Sequence, residues 1–146
     1  MKRMLTMTTA TNLAQRIADA FNAGDVNAFA ACFAPDAVQI HPFFPEPLHG
    51  RDAIRAAEGA MFAAFEHISM DVLTVLETGN KVAMELAVKA TNTKPLAMPD
   101  GGVLPPTGRS VDLTMSAFLT LDAAGQILES HRYQDNLAFM RQLGIA

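Results

Sequence analysis

VDLTMSAFLTLDAAGQILESHRYQDNLAFMRQLG, residues Val111 to Gly144, is the stretch whose reading decides the fold. It reads as a long strand, a tight turn at Asp122-Ala123-Ala124-Gly125, a second strand and a short closing helix. The densest run of ionisable and polar groups in the chain, Glu129 to Asp135, lies on the second strand. Alternate side chains of a strand share a face, so residues 127, 129, 131, 133 and 135 are expected to point one way. That places His131, Tyr133 and Asp135 together. A histidine, a phenol and a carboxylate on one side of a sheet are the parts of a proton-transfer site if the face lines a pocket, and merely a solvated surface if it does not.

Upstream, residues 1–11 read as a loose leader and 12–146 as a single domain. Asn12, with Gln15 following, has the pattern of a helix cap, and Leu13, Ile17, Ala20 and Phe21 repeat at helical spacing until Gly24 stops them. Asp25 caps a shorter helix carrying Val26, Phe29, Ala30 and Phe33; Cys32 beside them reads as a packed thiol. A short strand over 37–41 runs into Pro42-Phe43-Phe44-Pro45-Glu46-Pro47, whose prolines forbid regular structure. After Gly50 a third helix presents Ile54, Ala57, Met61, Phe62 and Phe65 as one stripe. Strands over 67–77 and 81–91 meet at Thr78-Gly79-Asn80, a hairpin signal. The Pro- and Gly-rich segment from Asn92 to Gly108 is long enough to be a binding loop, and it is expected to border a pocket mouth. This order predicts an α+β fold, a curved sheet with helices on one face.

Composition narrows the function classes. The formal charge is −4 with 15 acidic and 11 basic residues, and no basic stripe is present, so nucleic acid is not an expected partner. No apolar run approaches a membrane span, and the N-terminal segment is too short and polar for a secretory signal. With a single cysteine, the chain is expected in a reducing, cytoplasmic compartment. Nine Met and nine Phe in a chain that is 50% hydrophobic supply adaptable apolar walls. No spacing among the four histidines and the acids suggests a metal site, and no phosphate-cradling or nucleophile-elbow motif is present, so no cofactor is expected.

Three pieces of the chain, quoted in order, carry a family resemblance. Phe33-Ala34-Pro35-Asp36-Ala37-Val38, continuing to His41-Pro42 and Gly50-Arg51-Asp52-Ala53-Ile54, is the first. Pro105-Pro106-Thr107-Gly108-Arg109-Ser110-Val111 is the second, and Gly125-Gln126-Ile127-Leu128-Glu129 with Asp135 and Arg141-Gln142-Leu143-Gly144 is the third. Together they resemble the SnoaL-like polyketide cyclases, or ester cyclases, of the NTF2-like superfamily. The resemblance implies a cone in which a strongly curved mixed or antiparallel sheet is wrapped by three N-terminal helices around an apolar cavity. It also implies a cofactor-free enzyme acting on a small hydrophobic carbonyl compound, with Asp135 as the general base for an intramolecular aldol condensation.

Within that reading, His131 and His41 are the further catalytic candidates, and Asn92, Tyr133, Phe43, Phe44, Met61, Phe65 and Met115 are the expected substrate contacts. Asp135 also directly precedes the closing helix, where a carboxylate is a good N-cap. The spacing around His41-Pro42 is similar to that of ketosteroid isomerases. Histidine stands here in place of their aspartate, and Ile17 and Ala117 occupy the positions of their oxyanion-hole donors, which disfavours steroid isomerisation. The same fold hosts isomerases, dehydratases, epoxide hydrolases and non-catalytic ligand-binding domains. An open sheet also predicts a homodimer.

Overall fold

The computed structural model describes residues 8–146; the leader positions 1–7 lie outside the described residues. Helix α1 spans Thr9–Ala23, α2 Val26–Ala30, and strand β1 Phe33–Ile40. The two-residue β2 at Leu48–His49 precedes α3, Arg51–Ala64, which runs directly into β3, Phe65–Thr78. Strand β4 is Lys81–Asn92, the short β5 and β6 are Leu96–Ala97 and Val103–Leu104, β7 is Ser110–Leu121, β8 Ile127–Gln134 and α4 Asn136–Leu143.

The first helix starts earlier than its sequence pattern indicates. Thr8, not Asn12, is the N-cap; its hydroxyl accepts from the Thr11 amide, so residues 9–11 belong to the helix rather than to a leader. A threonine at this position satisfies an orphan amide at once, whereas Asn12 sits inside the first turn. The stop at Gly24 is as expected, with φ 65° and its amide returned to Ala20 and Phe21. Asp25 caps α2 through the Ala28 amide.

Six strands form one sheet in the order β2-β1-β8-β7-β4-β3. Four of its five neighbouring pairs are antiparallel, while β1 lies parallel to β8, joining the first strand of the chain to the last. Inward positions of β4 and β7 alternate strictly, Val82, Met84, Leu86, Val88 and Ala90 against Leu113, Met115, Ala117 and Leu119, and all are buried. Against this face pack α1, α2 and α3. An aromatic chain links the layers: Phe21 meets Phe29 at 5.4 Å and Phe62 at 4.9 Å, and Phe29 meets Phe33 at 5.1 Å between ring centroids. Cys32 is buried with its thiol directed at the Ala28 carbonyl, a packed residue as its pattern indicates.

Two register shifts in β3, between Glu66 and Ser69 and between Val72 and Thr74, bend the long hairpin. A third decides the site. Thr120 pairs with Glu129 and Leu121 with Ile127, so Leu128 is an extra residue that bulges from β8. One inserted residue inverts the alternation beyond it. Ile127 faces the core, and so do Ser130 and Arg132, whereas Glu129, His131 and Tyr133 face outward.

The segment between β4 and β7 departs from expectation twice. It contains the β5–β6 hairpin, with Leu96 fully buried, and none of its residues lines the internal cavity. It is a clasp on the C-terminal end of α3 rather than a pocket border. Asn92 anchors it: the side-chain amide donates to the Ala64 and Lys94 carbonyls at 3.0 Å each, and the side-chain oxygen accepts from the Thr107 amide at 2.7 Å and hydroxyl at 3.0 Å.

Candidate active site

The space between the sheet and the helices holds two adjoining, mostly apolar lobes. The outer one runs between α3, the start of β3 and α4, past Met61, Phe65, Leu113 and Phe139. It holds about 480 Å³ of space between atoms, counting space open to solvent. The deeper lobe, about 350 Å³ on the same measure, lies among Ile17, Phe29, Phe33, Leu119 and Ile127. Phe21, Met115 and Arg132 line both.

Arg132 reaches the interior because the Leu128 bulge turns it inward and because Ala117, its cross-strand partner, leaves room for a long side chain. Its Nη1 donates to Glu58 Oε1 at 2.7 Å, and its Nη2 is directed at the Met115 sulfur at 3.6 Å. Its Nε–H is buried with no hydrogen-bond partner among the described residues. Glu58 projects from the apolar stripe of α3 and is 2% exposed; its other oxygen lies 3.8 Å from His41 Nε2. His41 follows β1 and is equally buried, held by the Phe43 amide donating to Nδ1 at 3.0 Å and by edge contact with the Phe44 ring. Because Nδ1 accepts, the proton of the neutral ring sits on Nε2, facing the Glu58 carboxylate.

Electrostatics follow from this row of three. Burial pushes the Glu58 carboxyl upward, but the Arg132 guanidinium overcomes it and, with His41, holds the value down at about 2. Burial lowers the His41 value, and the positive charge of Arg132 lowers it further against the opposing pull of Glu58. His41 is therefore neutral at physiological pH, and Arg132 is the charge that keeps Glu58 ionised. A second polar contact lies in the deeper lobe. Gln39 and Ser130 are register partners on the parallel strands, and the Gln39 amide points at the Ser130 hydroxyl at 3.4 Å.

The sequence-predicted residues divide accordingly. Met61, Phe65 and Met115 line the cavity. His41 is in the polar row, behind Glu58. Phe43 and Phe44 stand beside it, Phe43 packing edge-on against Phe139 and Phe44 against His41. Asn92 is a structural anchor, committed to four bonds. His131 and Tyr133 do share a face with each other, but it is the outer one. His131 pairs with Glu129 at 2.6 Å, and Tyr133, 56% exposed, packs on exposed Phe118. Asp135 lies beyond the strand end, exposed, and its carboxylate accepts from the Ala138 amide at 2.9 Å as the N-cap of α4. No desolvating wall surrounds it. Asp135→Asn is expected to change stability by only a few tenths of a kcal/mol, because asparagine caps as well as aspartate; a thermal melt checks it.

Glu58 and Arg132 carry sequence signals of a kind that periodicity exposes. Glu58 falls on the stripe defined by Ile54, Ala57, Met61 and Phe62, where an unpaired acid has no place. Arg132 shares a parity with Ser130 and Gln134, and only the bulge makes that parity the inner one. Among the described residues, no group of three His, Cys, Asp or Glu side chains could hold a metal ion, and no helix is long and apolar enough to cross a membrane.

The sequence profile of the SnoaL-like domain family matches residues 14–130. The fold is similar to that of TsrD from Streptomyces laurentii, with a TM-score of 0.80 at 20% identity, over 98% of this chain and 100% of that one. It is similar also to a protein from Jannaschia sp. CCS1 named as a candidate SnoaL-like polyketide cyclase, with a TM-score of 0.79 at 20% identity, over 100% and 99% of the two chains. A protein from Pseudomonas putida KT2440, named as a candidate polyketide cyclase, has a TM-score of 0.75 at 25% identity, over 94% and 98%. No curated protein matches the sequence. The curved mixed sheet, the three helices against its inner face and the profile match over most of the chain place this protein in the SnoaL-like domain family, with the NTF2-like fold.

Proposed function

We propose that this chain is a small-molecule enzyme that binds a mostly apolar carbonyl compound and moves a proton at the carbon beside the carbonyl. The observation that carries the reading is the Glu58–Arg132 ion pair, set in the wall of an otherwise apolar cavity with an unpaired guanidinium N–H. The similarity to proteins named as candidate polyketide cyclases supports the same class of substrate.

In this proposal the substrate oxygen displaces the weak Met115 contact and takes hydrogen bonds from Arg132. Arg132 polarises the carbonyl and so acidifies the adjoining C–H, and Glu58, kept ionised beside it, is in the state needed to accept the proton. Glu58 removes the proton, and the C–H electron pair moves into an enolate whose oxygen faces Arg132. The nucleophilic carbon then attacks a second carbonyl of the same molecule, one C–C bond forms, and the proton on Glu58 passes to the new alkoxide. The sequence is redox-neutral. His41 acts as a positioning residue, its Nε2 3.8 Å from the second oxygen of Glu58 and without a hydrogen-bond partner among the described residues. Asp135 has no part in it.

The test is exchange of solvent deuterium into the central carbon of a β-diketone bearing two alkyl arms, followed by NMR. Wild type is expected to exceed buffer. Glu58→Gln, confirmed as folded by cooperative melting, is expected to lose about 10²–10⁴-fold, and Asp135→Asn is expected to match wild type. A folded Glu58→Gln protein that exchanges at the wild-type rate would sink the assignment. A wild type no faster than buffer would leave a binding domain in its place.

A further inference from the structure

Two narrow lobes meeting at one charged side chain constrain the shape of the ligand as well as its chemistry. Beyond Arg132, the deeper lobe continues among Phe29, Phe33, Leu119 and Ile127, and the outer lobe continues the other way toward Phe65 and Phe139. Arg132 and Met115 form the waist between them. The guanidinium has three directions in use or available: Nη1 on Glu58, Nη2 parked on a thioether, and Nε unpaired. A thioether is a weak acceptor, and the flexible methionine that provides it can swing aside. A ligand oxygen at the waist would thus gain two donors while its flanking groups extend into apolar space on both sides.

We infer that the ligand carries its recognised carbonyl in the interior of the molecule, with one apolar arm in each lobe, rather than a terminal carboxylate. This rests on the reading of Arg132 as the oxygen-binding residue. Each lobe is lined mainly by apolar side chains, so each can house an apolar arm. A terminal carboxylate at the waist would fill one lobe and leave the other empty. It would also bring a second negative charge to the buried Glu58, which one guanidinium cannot neutralise twice. The deeper arm can carry one hydrogen-bonding group, because Gln39 and Ser130 are the polar side chains of that lobe apart from Arg132 and hold each other only at 3.4 Å.

Calorimetric titration with three probes of equal carbon number tests this: dipentyl ketone, methyl nonyl ketone and undecanoate. The mid-chain ketone is expected to bind at least about tenfold more tightly than either of the others. Leu119→Phe, which narrows the deeper lobe, and Ala90→Leu, which narrows the outer one, are each expected to weaken dipentyl ketone, because both arms must be housed. Equal or better binding of undecanoate, or a loss with Ala90→Leu and none with Leu119→Phe, would overturn the two-armed ligand while leaving Arg132 in its role. The double variant Glu58→Met, Arg132→Met removes the ion pair without orphaning a charge. If it binds dipentyl ketone as wild type does, Arg132 is not the oxygen site, and both readings fall.

Discussion

Glu58→Ala is expected to destabilise the protein by about 3–5 kcal/mol, because it strands the Arg132 guanidinium in an apolar cavity. Arg132 is 9% exposed, and its Nη1 has Glu58 as its close acceptor. Replacing both residues by methionine is expected to be neutral or to raise stability by about 1–4 kcal/mol, since neither desolvation cost remains. Urea denaturation of the two variants measures the contrast, and a single alanine substitution with no effect on the midpoint would mean that water reaches the guanidinium freely. The same pair sets an acid limit. A carboxyl held at about 2 in the folded protein, against 4.5 ordinarily, contributes stability that is fully present above 4.5 and is lost as pH falls toward about 2. That contribution is on the order of 3 kcal/mol. His41 acts in the same direction at higher pH: its value is lowered from 6.5, so the unfolded chain binds the proton first and stability declines as pH falls below 6.5. Wild type is therefore expected to lose stability in two stages on acidification, and the double methionine variant is expected to lose the lower stage.

Asn92→Leu is the second large effect. The side chain is fully buried and makes four hydrogen bonds, two donated to the Ala64 and Lys94 carbonyls and two accepted from Thr107. Leucine is close in size but leaves those partners unpaired, at about 1–3 kcal/mol for each that water cannot reach. A total loss of about 3 kcal/mol or more is expected, with protease cleavage appearing first between Asn92 and Gly108 as the clasp opens. Asn92→Asp is expected to be no rescue, because its second oxygen would face two carbonyls. Residual β-diketone exchange by the folded fraction is expected to be unchanged. A variant that melts as wild type but loses exchange would instead return Asn92 to the substrate-binding role suggested by its place in the sequence.

Local signals in the chain were sufficient for most of the scaffold. Gly24 ends α1, Asp25 caps α2, Gly50 opens α3, Thr78-Gly79-Asn80 turns β3 into β4, and the alternation of β7 fixes its inner face. Each of these depends on a residue's own backbone preference or on neighbours within a few positions, so one sequence contains the whole cause. The family resemblance, too, was carried by such local pieces, Pro105 to Val111 and Arg141 to Gly144 among them. At Gly144, φ is 79° and a Cβ would meet Arg109 at 2.8 Å, so the final glycine answers both to its own turn and to a contact from the residue just before β7.

The site depended on causes that no local window contains. Whether His131 or Arg132 faces inward turns on a single unpaired residue, Leu128, whose bulge is defined only by pairing with Thr120 and Leu121 across the hairpin. The burial of Glu58 is intelligible only once Arg132, far along the chain, supplies the opposite charge. Asp135 carries the same carboxylate as Glu58 but stands at a helix start in water, where capping uses it. Sequence alone thus determined most of the helices and strands, though not the β5–β6 hairpin, and the family they compose. Tertiary structure decided which of two carboxylates is desolvated beside a guanidinium, because strand register and long-range charge pairing are properties of the assembled sheet.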